Sequence, residues 1–522
     1  MAADDDDPLL SIRARRRVLV ALGYGAANVA LTGVVGWSDR ARPGTGGLID
    51  LTSGLGRPPV LEGAPDQPPP GHRYDLVVVG GRVIDPDSGF DGVANVGVDG
   101  EMVTALTTDP LEGDTVIDAR DLVVAPGFID LLSFEPNSFG VWNKLADGVT
   151  TNLAMHGVSN YAAAFFDRYE GETPIHFGGA FHQHFMRAEE IGAGVEDELT
   201  RAQQRRFEAV LAENLEAGFA GVCCSPEYAP GTTRDEMVGL AEVAVEAGHM
   251  SFFHTRYSDP DPPGTGRDGL REVLAVARAT GSPVHVEHIT STGGTFEMGP
   301  ALELLEEARS DGVDVTACCY PYDSWGTFLA SSRFALGWRQ RYRIDDSDLQ
   351  VAGTEQRLSP VTFDQAQADN KLVVALGAIP EQELHMVLQR PWTMVSSDAI
   401  LNPDLNNHPR ASGTFSRLLG RYVREQGVLG LPDALAKITI LPARRVEAML
   451  PDLARKGRLQ RGADADVVVF DPATVVDRAT VASPELASVG VRFVLVEGTV
   501  ALSDGEPRRD TRAGRALRSV VR

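Results

Sequence analysis

From residue 74 to residue 505 the apolar residues fall into two patterns. Short, nearly continuous apolar runs alternate with longer stretches in which apolar residues recur every three or four positions. The runs are 123–134, 149–156, 176–182, 221–226, 251–255, 283–289, 313–322 and 393–399. A strand of a buried parallel sheet reads as such a run, and an amphipathic helix as such a stretch; 201–217, 236–248, 269–281 and 300–310 are examples. Strand and helix alternating eight times predict an α/β fold, a (β/α)8 TIM barrel. The gap from 325 to 391 is too long for one helix and predicts an inserted lid or subdomain.

The folded protein is expected to begin at 74–81, and short β-rich runs flank the barrel on both sides, at 82–84, 95–98, 102–106 and 115–118, then at 465–470 and 490–500. Chain ends commonly meet at one surface, so both blocks are expected to build one small β-sandwich domain. The expected division is 74–125 and 451–505 for that domain, 126–450 for the barrel, and 506–522 for a C-terminal tail. Residues 1–37 read as a signal segment and 38–73 as a Gly/Pro-rich linker. The signal reading rests on Arg15-Arg16-Arg17-Val18-Leu19 before a weakly apolar run, the pattern of a twin-arginine-type export signal. It implies an exported or envelope-associated protein; a cytosolic N-terminal helix or an uncleaved anchor is the alternative.

Composition changes the picture in three places. A net charge of −25 and a pI near 4.8 disfavour nucleic acid as a partner. No apolar run is long enough to predict a transmembrane bundle. The four cysteines form two adjacent pairs, Cys223-Cys224 and Cys318-Cys319. Neighbours on a strand point to opposite faces, so they read as buried thiols and not as disulfides or a zinc knuckle.

The candidate chemistry lies at two strand ends. Ser251-Phe252-Phe253-His254-Thr255-Arg256 and Pro283-Val284-His285-Val286-Glu287-His288 each bury an apolar body and end in a histidine. Barrels of this kind build their sites at the C-terminal ends of strands, and neutral imidazole is a common metal ligand. Two such histidines on successive strands are positioned to share one ion.

Further segments carry a resemblance. They are Val124-Ala125-Pro126-Gly127-Phe128-Ile129-Asp130, Gly148-Val149-Thr150-Thr151, Tyr320-Pro321-Tyr322, Ser397-Asp398, His408-Pro409-Arg410 and Gly462-Ala463-Asp464-Ala465-Asp466. In this order they resemble the amidohydrolase superfamily, in particular its D-aminoacylase (N-acyl-D-amino-acid deacylase) branch. One departure stands out: the family's two histidines after Asp130 are replaced by Leu132 and Phe134, so half of a binuclear site is missing. The resemblance implies one Zn2+ per chain, held by His156, His254 and His288, with Asp398 as general base. It implies His184, Tyr228, Arg256 and Tyr322 as substrate-binding residues. The implied activity is hydrolysis of a linear, non-peptide amide, the deacylation of N-acyl-D-amino acids, with a small-molecule amide as substrate. Two alternatives stay open: a hydantoinase-like hydrolase of cyclic amides, and a binding protein that has lost its chemistry with the strand-one histidines. A homo-oligomer is compatible with all three.

Overall fold

The computed structural model describes residues 59–404 and 407–521; the twin-arginine-like segment and residues 38–58 of the linker lie outside the described residues. The N-terminal β block begins with β1 (Arg73–Asp85), whose alternating burial places Leu76, Val78 and Val83 in a core. β1 pairs antiparallel with β2 (Phe90–Asp99), which pairs with β3 (Met102–Thr107). Its first half also lies parallel to β4 (Glu112–Asp118) and its second half to β5 (Val123–Pro126).

The apolar run read as the first barrel strand is two strands. β5 belongs to the β domain, and only β6 (Phe128–Asp130) enters the barrel. Gly127 makes the switch: a Cβ there would lie 2.1 Å from the Thr150 hydroxyl, so only glycine lets the chain pass this close.

The barrel continues with β7 (Val149–Val158), β8 (His176–His182), β9 (Val222–Cys224), β10 (Ser251–Phe253), β11 (Val284–Val286) and β12 (Val315–Cys319). An insertion then adds a three-stranded antiparallel sheet, β13 (Trp325–Phe328), β14 (Leu349–Val351) and β15 (Leu372–Ala375), in the order β13-β15-β14. β16 (Thr393–Val395) completes the barrel. All eight strands are parallel, in the order β16-β12-β11-β10-β9-β8-β7-β6. Bonds just past the strand ends draw the two outer strands together: the Asp398 N–H donates to the Leu132 carbonyl at 2.7 Å and the Ser397 N–H to Asp130 Oδ1 at 3.0 Å.

Residue alternation sorts the side chains between two cores. Met155, Ala180, Cys223, Phe252, Cys318 and Met394 fill the barrel, while Cys224, Phe253 and Cys319 face the helix layer. The four cysteines are free and buried, as their spacing predicts. Leu517 returns from the C-terminal tail into the inner core, its N–H bonded to the Phe177 carbonyl at 2.7 Å.

Near the other end, β17 (Val467–Phe470), β18 (Val491–Val496), β19 (Thr499–Ser503) and β20 (Glu506–Pro507) extend the N-terminal sheet. β17 pairs antiparallel with β5, from Val467 opposite Pro126 to Phe470 opposite Val123. The fold is therefore a (β/α)8 barrel with a β domain built from both ends of the chain. Among the described residues, no helix is long and apolar enough to cross a membrane.

A candidate metal centre at the barrel mouth

Side chains at or near the C-terminal ends of four barrel strands, β7, β9, β10 and β11, converge. His156 lies near the end of β7, Cys223 inside β9, His254 one residue beyond β10, and Glu287 and His288 just beyond β11. Gly157, at φ +107°, lets β7 pass directly over His182, where a Cβ would lie 2.3 Å from that side chain. The His156 and His182 rings then sit 4.9 Å apart.

Glu287 is at the centre. Its Oε2 lies 3.0 Å from His156 Nδ1, 3.7 Å from His254 Nδ1 and 3.8 Å from His288 Nε2. Its Oε1 accepts from the Cys223 thiol at 3.0 Å, and that sulfur is 3.6 Å from His156 Nδ1. All five side chains are buried.

A second carboxylate fixes one of these rings. Glu227 Oε2 bonds His254 Nε2 at 2.6 Å, which turns the ring's Nδ1 towards Glu287. Glu227 is itself held by Ser258 at 2.6 Å and by Arg333 at 3.2 Å. Arg333 comes from the insertion and reaches over the barrel mouth, where it also donates to the Ser291 carbonyl. Its charge, with the bonds from His254 and Ser258, outweighs burial and holds Glu227 down at about 2.

Burial governs the rest of the electrostatics. It drives His156 and His288 well below the ordinary histidine value, with neighbouring histidines adding to the effect. It pushes the Glu287 carboxyl well above the ordinary range, opposed by the Cys223 thiol and reinforced by the Asp398 charge. Neutral imidazoles around a buried carboxyl that no lysine or arginine pairs among the described residues suit a divalent ion, since a buried, uncompensated carboxylate is costly. The Glu287 Oε2 accepts no hydrogen bond among the described residues, which fits the same reading.

Asp398 stands on the same rim. It holds a left-handed backbone, φ +57°, and is buried. Arg410 Nη2 pairs with its Oδ2 at 2.7 Å, and Arg410 Nε bonds its carbonyl at 3.1 Å. Asp398 Oδ1 and Arg410 Nη1 make no hydrogen bond among the described residues. Burial raises the Asp398 carboxyl well above its ordinary value, opposed chiefly by Arg410.

The remaining expected residues divide. Tyr228 packs its ring 4.6 Å from that of His254, and His184 stacks on Tyr228 at 6.2 Å. Arg256 does not join them. It forks onto Glu272 at 2.9 Å and bonds the carbonyls of Pro230 and Thr232, tying loops together outside the histidine cluster. Tyr322 is also displaced, packed against His408 with Arg417 over its ring. The tyrosine beside the cluster is Tyr320, 6.1 Å from the His288 ring and covered by Arg410. Leu132 lies in the inner core and Phe134 packs edge-on against His156 at 6.5 Å, so apolar side chains stand where the resemblance places the family's strand-one histidines.

The sequence reading missed Glu287, Cys223, Glu227, Arg333 and Tyr320. For two of them a signal existed. Glu287 directly precedes His288, and alternation required one cysteine of the first pair to face the barrel interior.

Comparison with known proteins agrees with this architecture. Residues 178–502 match the amidohydrolase family. The N-acyl-D-glutamate deacylase of Alcaligenes xylosoxydans xylosoxydans is 34% identical over 489 residues, covering 85% of this chain and 97% of its own. The D-aminoacylase of the same organism is 28% identical over 466 residues, covering 81% and 94%. The crystal structure of N-acyl-D-glutamate deacylase from Bordetella bronchiseptica, complexed with zinc and a phosphonate mimic of the tetrahedral intermediate, superimposes with a TM-score of 0.74. It is 28% identical and covers 86% of this chain and 100% of its own.

Proposed function

Because the chain belongs to the amidohydrolase family, we propose that this enzyme removes the acyl group from N-acyl-D-amino acids, using a divalent metal held by His156, His254, His288 and Glu287. The observation that carries the reading is the convergence of three histidine nitrogens on one buried carboxylate oxygen. Bound zinc would supply Lewis-acid activation of water and of the amide carbonyl.

The chain's own residues do the rest. Asp398 Oδ1, which accepts no hydrogen bond among the described residues, takes a proton from the attacking water and returns it to the departing amine nitrogen. Arg410 opposes the burial that raises the Asp398 carboxyl, through the 2.7 Å pair on the other carboxylate oxygen. Its unbonded Nη1 is a donor for the substrate carboxylate. Glu227 fixes the tautomer and direction of His254. Tyr228 and His184 wall the acyl side, and Arg333 keeps the insertion packed over the mouth.

The test is amine release from N-acetyl-D-glutamate, N-acetyl-D-leucine and N-acetyl-L-glutamate, with hydantoin alongside. Turnover of the D-amides with bound metal is expected. Turnover of hydantoin alone would favour the cyclic-amide alternative, and neither metal nor turnover would favour the binding protein.

A further inference from the structure

The chain has few lysines, and one of them, Lys144, is buried in the seam where the barrel closes. It stands in the last turn of the helix Val141–Ala146. Its Nζ lies 2.6 Å from Asp130 Oδ2 and donates to the Ser397 hydroxyl. That hydroxyl has one proton, and its shortest acceptor is the same Asp130 oxygen, at 2.6 Å. Lys144, Ser397 and Asp130 therefore form a closed triangle. A lysine buried this completely is tolerated only when paired, and among the described residues its ion partner is Asp130.

The triangle is joined to the backbone on both sides of Asp398. Asp130 Oδ1 accepts from the Ser397 N–H at 3.0 Å and from the Leu132 N–H at 3.2 Å. The Leu132 carbonyl accepts from the Asp398 N–H at 2.7 Å, and the Ser133 hydroxyl donates to the Ala399 carbonyl at 3.2 Å. The residues before and after Asp398 are thus fixed to the strand-one segment, and Asp398 between them keeps its φ of +57°.

We infer that Lys144 is a positioning residue for Asp398: through Asp130 and Ser397 it holds the left-handed turn that presents Asp398 at the barrel mouth, and it balances the Asp130 charge beside that carboxyl. The inference rests on the reading of Asp398 as general base and names what holds it. Arg410, Arg333 and Lys144 favour the ionised form of Asp398, and Asp130 opposes it. Glu287, Cys318, Tyr228 and Tyr320 also lie within reach of its charge. Removing the ammonium leaves Asp130 without its cation, and a like charge nearby favours protonated Asp398.

The test compares the full, metal-loaded chain with Lys144→Met and Ser397→Ala, using N-acetyl-D-glutamate as substrate. Lys144→Met should lower kcat by about 10–100-fold, the effect of a slightly misplaced group, with KM and metal content unchanged. The acid limb of its pH–rate profile should move to higher pH, and adding Asp130→Asn should bring the limb back. Hydrogen exchange at the 396–399 amides, which needs no substrate, should be faster in both single variants than in the native chain. Native exchange there, or an acid limb that stays in place, would overturn the inference and leave the general base standing. Full activity in Asp398→Asn, measured alongside, would overturn the general-base reading and this inference with it. Should Lys144→Met fail to fold, Ser397→Ala breaks the triangle but keeps the ion pair, and its exchange and kcat decide.

Discussion

Asp398 combines a left-handed backbone, burial and an oxygen with no hydrogen-bond partner, three features that each cost stability in a residue other than glycine. A position kept in that state against its cost is a candidate for chemistry. Asp398→Asn should keep the fold and the metal content yet lower kcat by about 10²–10⁴-fold, the usual contribution of a general base. Steady-state kinetics with metal analysis on the same preparation check it; full activity would remove Asp398 from the reaction. Arg256 makes the opposite case. Its fork onto Glu272 and its two carbonyl bonds are structural. Arg256→Ala should lower stability by about 1–3 kcal/mol and leave KM unchanged. A raised KM with unchanged melting would return it to the substrate site.

At the scale of elements, the helix Val141–Ala146 is fastened by the residue that ends it. Asp147 accepts from the Phe415 N–H at 2.8 Å, the Ser416 N–H at 3.0 Å and the Ser488 hydroxyl at 2.8 Å, so it joins this helix to Arg410–Arg417. Burial nevertheless pushes its carboxyl up to about 7, from an ordinary 3.8, against the pull of those bonds. The unfolded chain gives up this proton near 3.8, whereas the folded one keeps it to about 7. The folded state therefore binds the extra proton between these values, and stability from this group is present at low pH and lost as pH rises through that window. Denaturation midpoints for the native protein should fall across it, by at most roughly 1.4 kcal/mol per pH unit from this group. Asp147→Asn should flatten that slope; an unchanged slope would show that the carboxyl is already ionised.

At the scale of the whole molecule, the barrel and the β domain are clamped by one buried lysine. Lys456 Nζ lies 2.9 Å from Asp466 Oδ2, 2.9 Å from Asp464 Oδ2, 3.3 Å from Glu497 Oε1 and 3.0 Å from His176 Nε2. His176 opens barrel strand β8, while Asp464, Asp466 and Glu497 belong to the C-terminal β block. Lys456→Met leaves Asp466 without its ammonium, although Arg455 still pairs with Asp464 and Arg515 with Glu497, and should cost about 3–5 kcal/mol, read as a lower melting temperature. A neutral outcome would mean that water replaces the ammonium. Export is also a property of the whole chain: we propose that Arg15 and Arg16 direct it. Replacing both by lysine should retain the protein in the cytoplasm, and unchanged fractionation would refute the signal.

The order of strands and helices and the strand-end histidines were legible in the sequence because each depends on a short-range period, and the joining of both β-rich ends because chain ends commonly meet at one surface. Residues 123–134 show where that reading stops: their apolar run is continuous, but Gly127 divides it between two sheets according to what lies against it. The candidate ligand set was legible only in part. His254 and His288 end their strands, and period alone places them at the mouth. Glu287, Cys223 and Glu227 lie on three different turns or strands, and only closure of the barrel brings their atoms within bonding distance of the histidines. Tyr320 and Tyr322, two residues apart, went to different neighbours for the same reason. Beyond a strand's end the backbone leaves its period, and the direction of a side chain is set by the packing around it.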